Sequence, residues 1–137
     1  MAAPVSICER LPSVDEFLAL REAADMAPRS REAVERGLSN SVFGVVAVHD
    51  ETDEVVGMGR IVGDDGSVYH ICDMAVQPEL QEQGIGSRIM DALMAYIEET
   101  APPKAYVNLM ADVDGFYERW GFERTAPASK GMYRRTE

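Results

Sequence analysis

The chain has 137 residues, 46% hydrophobic and 27% charged, with a formal net charge of -11 and a pI of about 4.6. That length and composition fit one globular domain over residues 1–137, with no internal repeat and no low-complexity tract. No apolar run nears the ~18 residues of a membrane span, and the acidic field repels nucleic acid and anionic membrane surfaces.

The same field suits a cationic small-molecule partner such as an amine, or serves solubility alone. Cys8 and Cys72 have no metal-like spacing, so reduced thiols and no metal are expected. The segment from Met1 to Val5 lacks the basic stretch and apolar core of a signal peptide, and a cytoplasmic location is the expectation.

Val5 to Cys8 reads as a first strand. Ser13 precedes Val14, Phe17, Leu18 and Leu20, with Glu16 three residues on, which predicts a helix opened by a capping box. Pro28 opens a second helical segment through Val34, and Gly37 ends it. Val42 to Val48, Val55 to Val62 and Val68 to Val76 are β-branched runs separated by short polar turns, the pattern of an antiparallel meander.

Pro78 stops the third run. Ile85, Ile89, Leu93 and Ile97 then recur every four residues, predicting a long amphipathic helix to about Glu99. Pro102-Pro103 ends it, and Ala105 to Leu109 returns as a strand parallel to the third, making a βαβ unit. Asp114 to Trp120 reads as a short helix closed by Gly121, with two final strands from Phe122 and over Gly131 to Arg135.

The chemistry concentrates in the turn Gln81-Glu82-Gln83-Gly84-Ile85-Gly86-Ser87-Arg88. A glycine-bearing turn that opens a helix presents unpaired N–H groups at the positive end of the helix dipole, a phosphate site. A P-loop would need Lys-Ser or Lys-Thr after the second glycine, where Ser87-Arg88 stands. A dinucleotide fingerprint needs a small residue where Ile89 stands.

The order strand, Val76-Gln77-Pro78, Gln81-x-x-Gly84-x-Gly86, long helix resembles the acyl-CoA motif of the GNAT N-acetyltransferase superfamily. Phe116-Tyr117-Glu118-Arg119-Trp120-Gly121-Phe122 is similar to a second element of that family, and the resemblance covers roughly residues 42 to 135. It implies a mixed α/β sheet whose central strands splay to admit pantetheine, acetyl-CoA as co-substrate, and a homodimer. The backbone of Gln83, Gly84, Ile85, Gly86 and Ser87 would then cradle the pyrophosphate, with Gln81 beside them and Arg88 a turn into the helix, placed to meet a phosphate oxygen or solvent. Met74, Ala75 and Val76 would flank pantetheine, and Asn108 would orient cofactor or acceptor.

By the same resemblance Tyr117 is the general acid for the leaving thiolate. Asp73, directly before Met74, is the catalytic base, the binder of a cationic amine, or a partner for Arg60 on the neighbouring strand. Strand alternation puts Tyr69, Ile71 and Asp73 on one face and His70, Cys72 and Met74 on the other, unless a bulge intervenes. His70 ranks below Asp73 as a base, and direct transfer needs no cysteine nucleophile. Arg60, Tyr69, Tyr133 and Arg134 are expected around a small-molecule amine acceptor. A non-catalytic acyl-CoA-binding regulatory module and a nucleotide-binding enzyme are the alternatives.

Overall fold

The meander forms as its sequence dictates, and its third strand keeps the expected bounds. The computed structural model describes residues 4–137; the part of the signal-peptide reading that concerns Met1, Ala2 and Ala3 lies outside the described residues. Five strands, β1 (Val5–Cys8), β2 (Phe43–His49), β3 (Val55–Gly63), β4 (Val68–Val76) and β5 (Tyr106–Leu109), lie side by side in chain order. β1 to β4 pair antiparallel, and β5 pairs parallel to β4 after the helical crossover. The mixed sheet that results is the expected fold class.

Helix α1 (Val14–Ala23) starts on the capping box. Glu16 N–H donates to Ser13 Oγ at 3.1 Å and Ser13 N–H to Glu16 Oε1 at 2.8 Å. Such a cap contributes about 1 kcal/mol. Helix α2 (Arg31–Leu38) starts at Ser30, not Pro28, because the Ser30 hydroxyl accepts from Ala33 N–H at 3.1 Å, whereas proline offers only its fixed φ. It runs one residue past Gly37 to bury Leu38.

Helix α3 (Ile85–Thr100) lays Ile85, Ile89, Met90, Leu93 and Ile97 on one face of the sheet. Gly59 permits the approach: a Cβ there would stand 2.7 Å from both Ile89 Cγ2 and Met74 Sδ. On the opposite face, Phe17, Leu20, Val34 and Leu38 of α1 and α2 cover Val46, Val55, Met58 and Ala75. Among the described residues no helix is long and apolar enough to cross a membrane.

Two irregularities shape the centre. The β4–β5 ladder ends at Ile71–Leu109, so the rest of β4 runs on without β5 beside it. That is the expected splay. On its other edge, Arg60 pairs with Cys72 but Met58 pairs with Ala75, so Gly59 faces two residues, Asp73 and Met74. This bulge, with Asp73 at φ 57°, breaks the alternation. Tyr69, Ile71 and Met74 pack towards α3, while Asp73 turns to α1 with Arg60.

The expected final strands do not form among the described residues. Beyond the short 3-10 helix Tyr117–Trp120 and the left-handed Gly121 at φ 88°, Ser129 N–H returns to Thr125 O at 3.0 Å, a turn around Pro127. Met132 and Tyr133 are 92% and 81% exposed. Two apolar residues between Lys130 and Arg134 bury no face, and that is too little to hold an edge strand.

Candidate active site

The first turn of α3 has no side-chain cap, because Gly84 occupies the N-cap at φ 84°. Its leading amides are therefore offered outward; the ladder resumes with Arg88 N–H on Gly84 O at 3.1 Å. Glu82 also lies in the left-handed region, at φ 65°, so the turn curls its backbone amides. No atom stands within 4 Å of a Cβ placed on Gly84, and only Phe116 Cζ, at 3.6 Å, meets one on Gly86. The glycines leave an open cradle that nothing among the described residues fills, which fits a pyrophosphate.

The side chains of the turn buttress it. Gln81 Nε2 donates to Val76 O at 3.1 Å and Gln83 Nε2 to Glu79 O at 3.5 Å. Met74 and Val76 are half-buried on the free part of β4, and Ala75 is buried against the α1 side. Ser87 accepts from Arg119 Nη2 at 2.8 Å. Arg119 in turn stacks 4.7 Å from the Phe116 ring and 4.8 Å from the Trp120 ring. The sequence reading missed Arg119; its place within the Phe-Tyr-x-x-x-Gly-Phe element was the available signal. Arg88 is half-buried one turn in.

That Arg119 contact ties the 3-10 helix to the α3 terminus. Tyr117, 8% exposed, sits at the start of the 3-10 helix. Burial, and then the Asp112 carboxylate, push its phenol up to about 12, so it stays protonated through the neutral range. It lines an open cleft of about 870 Å3 together with Asn108, Leu109, Phe122 and Lys130. Asn108 Oδ1 lies 2.9 Å from His70 Nδ1 across the parallel ladder, so each orients the other. Burial also raises the Cys72 thiol to about 12, which suits an inert residue.

Asp73 lies on the bulge, one residue before Met74. Arg21 Nη1 donates to its Oδ1 and Arg60 Nε to its Oδ2, both at 2.6 Å. The carboxylate side chain is 8% exposed, and those of Arg21 and Arg60 are 6% and 18% exposed. Of the three readings, the Arg60 pair is the contact observed. Arg21 was not foreseen, although an arginine in step with Phe17 and Leu20 on the buried stripe of α1 was a readable signal.

The expected acceptor residues do not converge. Tyr69 is fully buried under α3, its hydroxyl without a partner among the described residues, and it does not line the cleft that holds Tyr117. The bulge and the depth of the core remove it from that set. Tyr133 and Arg134 stand exposed on the C-terminal segment, outside any helix or strand. Arg60 alone remains beside Asp73.

A family model described as an acetyltransferase (GNAT) domain matches residues 20–132. A crystal structure of a Staphylococcus aureus protein of unknown function, described as a probable acetyltransferase, is 40% identical with a TM-score of 0.90, over 96% of this chain and 99% of that one. An uncharacterized N-acetyltransferase, ycf52, of Porphyra purpurea is 25% identical over 95 residues, 69% of this chain; the match spans 55% of that relative's length. A GNAT acetyltransferase of Brucella melitensis in complex with acetyl-CoA is 22% identical with a TM-score of 0.66, over 88% of this chain and 83% of that one, a likeness of fold.

Proposed function

The chain belongs to the GNAT acetyltransferase family, and from that premise we propose that it transfers an acetyl group from acetyl-CoA directly to a primary amine of a small molecule. One observation carries the reading. An uncapped, glycine-lined helix terminus and a buried protonated phenol are tied together by Arg119 on Ser87, next to a strand that has parted from its neighbour.

Bound acetyl-CoA would supply an activated thioester carbonyl and a thiol leaving group. The amides of Gly84 to Ser87 would hold its pyrophosphate, with Gln81 and Gln83 fixing the turn. The backbone of Met74, Ala75 and Val76 would border the pantetheine arm where β5 is absent. Tyr117 would donate a proton to the departing sulfur, and Asn108, held by His70, would orient the reacting groups.

Asp73 fits a different task from the one its position suggested. Both its oxygens already accept from guanidinium groups, so protonation would leave two arginines, Arg21 and Arg60, without their counter-charge. This favours pairing over proton acceptance. A homodimer stays part of the reading, supported by the outer edge of β5, where no strand pairs among the described residues and Tyr106 is 54% exposed.

The test is thiol release from acetyl-CoA across a panel of amines, with mass spectrometry of the acetylated product. Release matched by acetyl-amine supports the proposal. Acetyl-CoA binding without release from any amine would support the regulatory module instead.

A further inference from the structure

The charge around Asp73 reverses the sign of the molecule. The chain carries -11 overall, yet Arg21 and Arg60 hold one carboxylate between them, and Arg29 stands beside Arg21. Arg21 Nη2 donates to Ala27 O at 2.6 Å and Arg29 Nη1 to the same oxygen at 3.5 Å, so the two guanidinium groups converge on one atom. The Arg21 and Arg60 guanidinium carbons each lie 5.8 Å from the centre of the Phe17 ring.

Asp73 answers Arg21 and Arg60, and nothing answers Arg29, which enters no ion pair among the described residues. Arg21 Nε is buried and has no hydrogen-bond partner among them. A buried, unpartnered donor on a guanidinium is costly unless something accepts from it. Burial and then Arg29 lower the Arg21 pKa, against the opposing pull of the Asp73 carboxylate. A local surplus of cation in an acidic protein is a place for an anion.

The surplus sits where an acceptor would be. Asp73 immediately precedes Met74, at the start of the β4 stretch that runs without β5. We infer that the acceptor amine also carries an anionic group, a carboxylate or a phosphate, which Arg21, Arg29 and Arg60 receive beside Asp73. Asp73 is then a positioning residue: it fixes the two buried forks and leaves their remaining donors, with Arg29, for the ligand. The global field that suits a cationic amine is screened beyond ~8–10 Å, whereas these arginines act at contact distance.

The inference rests on the acetyl-transfer reading, and its test separates the two. Thiol release from saturating acetyl-CoA is measured for matched amines: tyrosine against tyramine and ornithine against putrescine for a carboxylate, O-phosphoethanolamine against ethanolamine for a phosphate. At least one member bearing the carboxylate or phosphate should show a kcat/KM about tenfold or more above its partner without it, as charge-assisted hydrogen bonds require. Exposed Arg29 can be changed without opening the core, and Arg29→Gln should raise KM for that anion-bearing member about tenfold while lowering kcat less. Equal or better turnover of every partner that lacks the anionic group, or an Arg29→Gln enzyme with unchanged KM, overturns the inference. Calorimetry with acetyl-CoA then identifies what failed: with binding intact only the acceptor assignment falls, and without binding the transferase reading falls too.

Discussion

Arg21 of α1 and Asp73 of β4 lie 52 residues apart in the chain and meet at 2.6 Å, the pair shielded to 6% and 8% exposure. Removing one member of a buried pair leaves an uncompensated charge, which costs about 3–5 kcal/mol. Asp73→Asn should therefore lower the urea midpoint strongly. A wild-type midpoint would show that Arg21 and Arg60 gain nothing from the carboxylate.

That pair also marks what the sequence could and could not disclose. Local rules sufficed for the capping box at Ser13 and Glu16, the bounds of β4 and the α3 stripe, because each depends on neighbours within a turn or a pleat. The glycine turn and the Tyr117 element were legible as motifs for the same reason. Alternation alone puts Asp73 on the Tyr69 face, and whether a bulge intervenes depends on how β3 pairs, not on β4 alone. Arg21 needed a contact with a residue 52 positions away. The final strands failed because propensity without a partner edge holds no ladder.

Tyr117→Phe keeps the ring and removes the proton. We expect kcat to fall about 100-fold or more, the usual scale of general acid catalysis, with acetyl-CoA affinity little changed. Steady-state kinetics beside calorimetry decide it. Unchanged kcat would remove Tyr117 from the acid role.

The same phenol gives an alkaline signature. Its ordinary value is 10.0 and burial raises it to about 12 in the folded chain. Below pH 10 both states keep the proton and no effect appears. Between pH 10 and 12 the unfolded chain ionises first, so stability falls as pH rises through that window. Tyr117→Phe should flatten this fall in urea titrations; Tyr69 and Tyr96, also raised by burial first, keep part of it.

Gly86→Val fills the space in front of α3 without meeting backbone, since a Cβ there has only Phe116 Cζ within 4 Å. It should weaken acetyl-CoA binding about tenfold or more by blocking the approach of phosphate to the helix amides, at a small cost in stability. Calorimetry and thermal melting separate the two effects. A large loss of stability with affinity preserved would mean that Gly86 serves packing alone.

Arg119→Ala removes the tie between the 3-10 helix and α3. Because Tyr117 rides on that helix, kcat should fall together with acetyl-CoA affinity. Loss of affinity with kcat intact would show that the anchor does not position Tyr117.

The most direct measurement of the central claim is a calorimetric titration of the full chain with acetyl-CoA, run beside NAD and ATP. The account predicts saturable one-to-one binding of acetyl-CoA and much weaker binding of the nucleotides. No acetyl-CoA binding at millimolar concentration, or tighter binding of NAD or ATP, would contradict it.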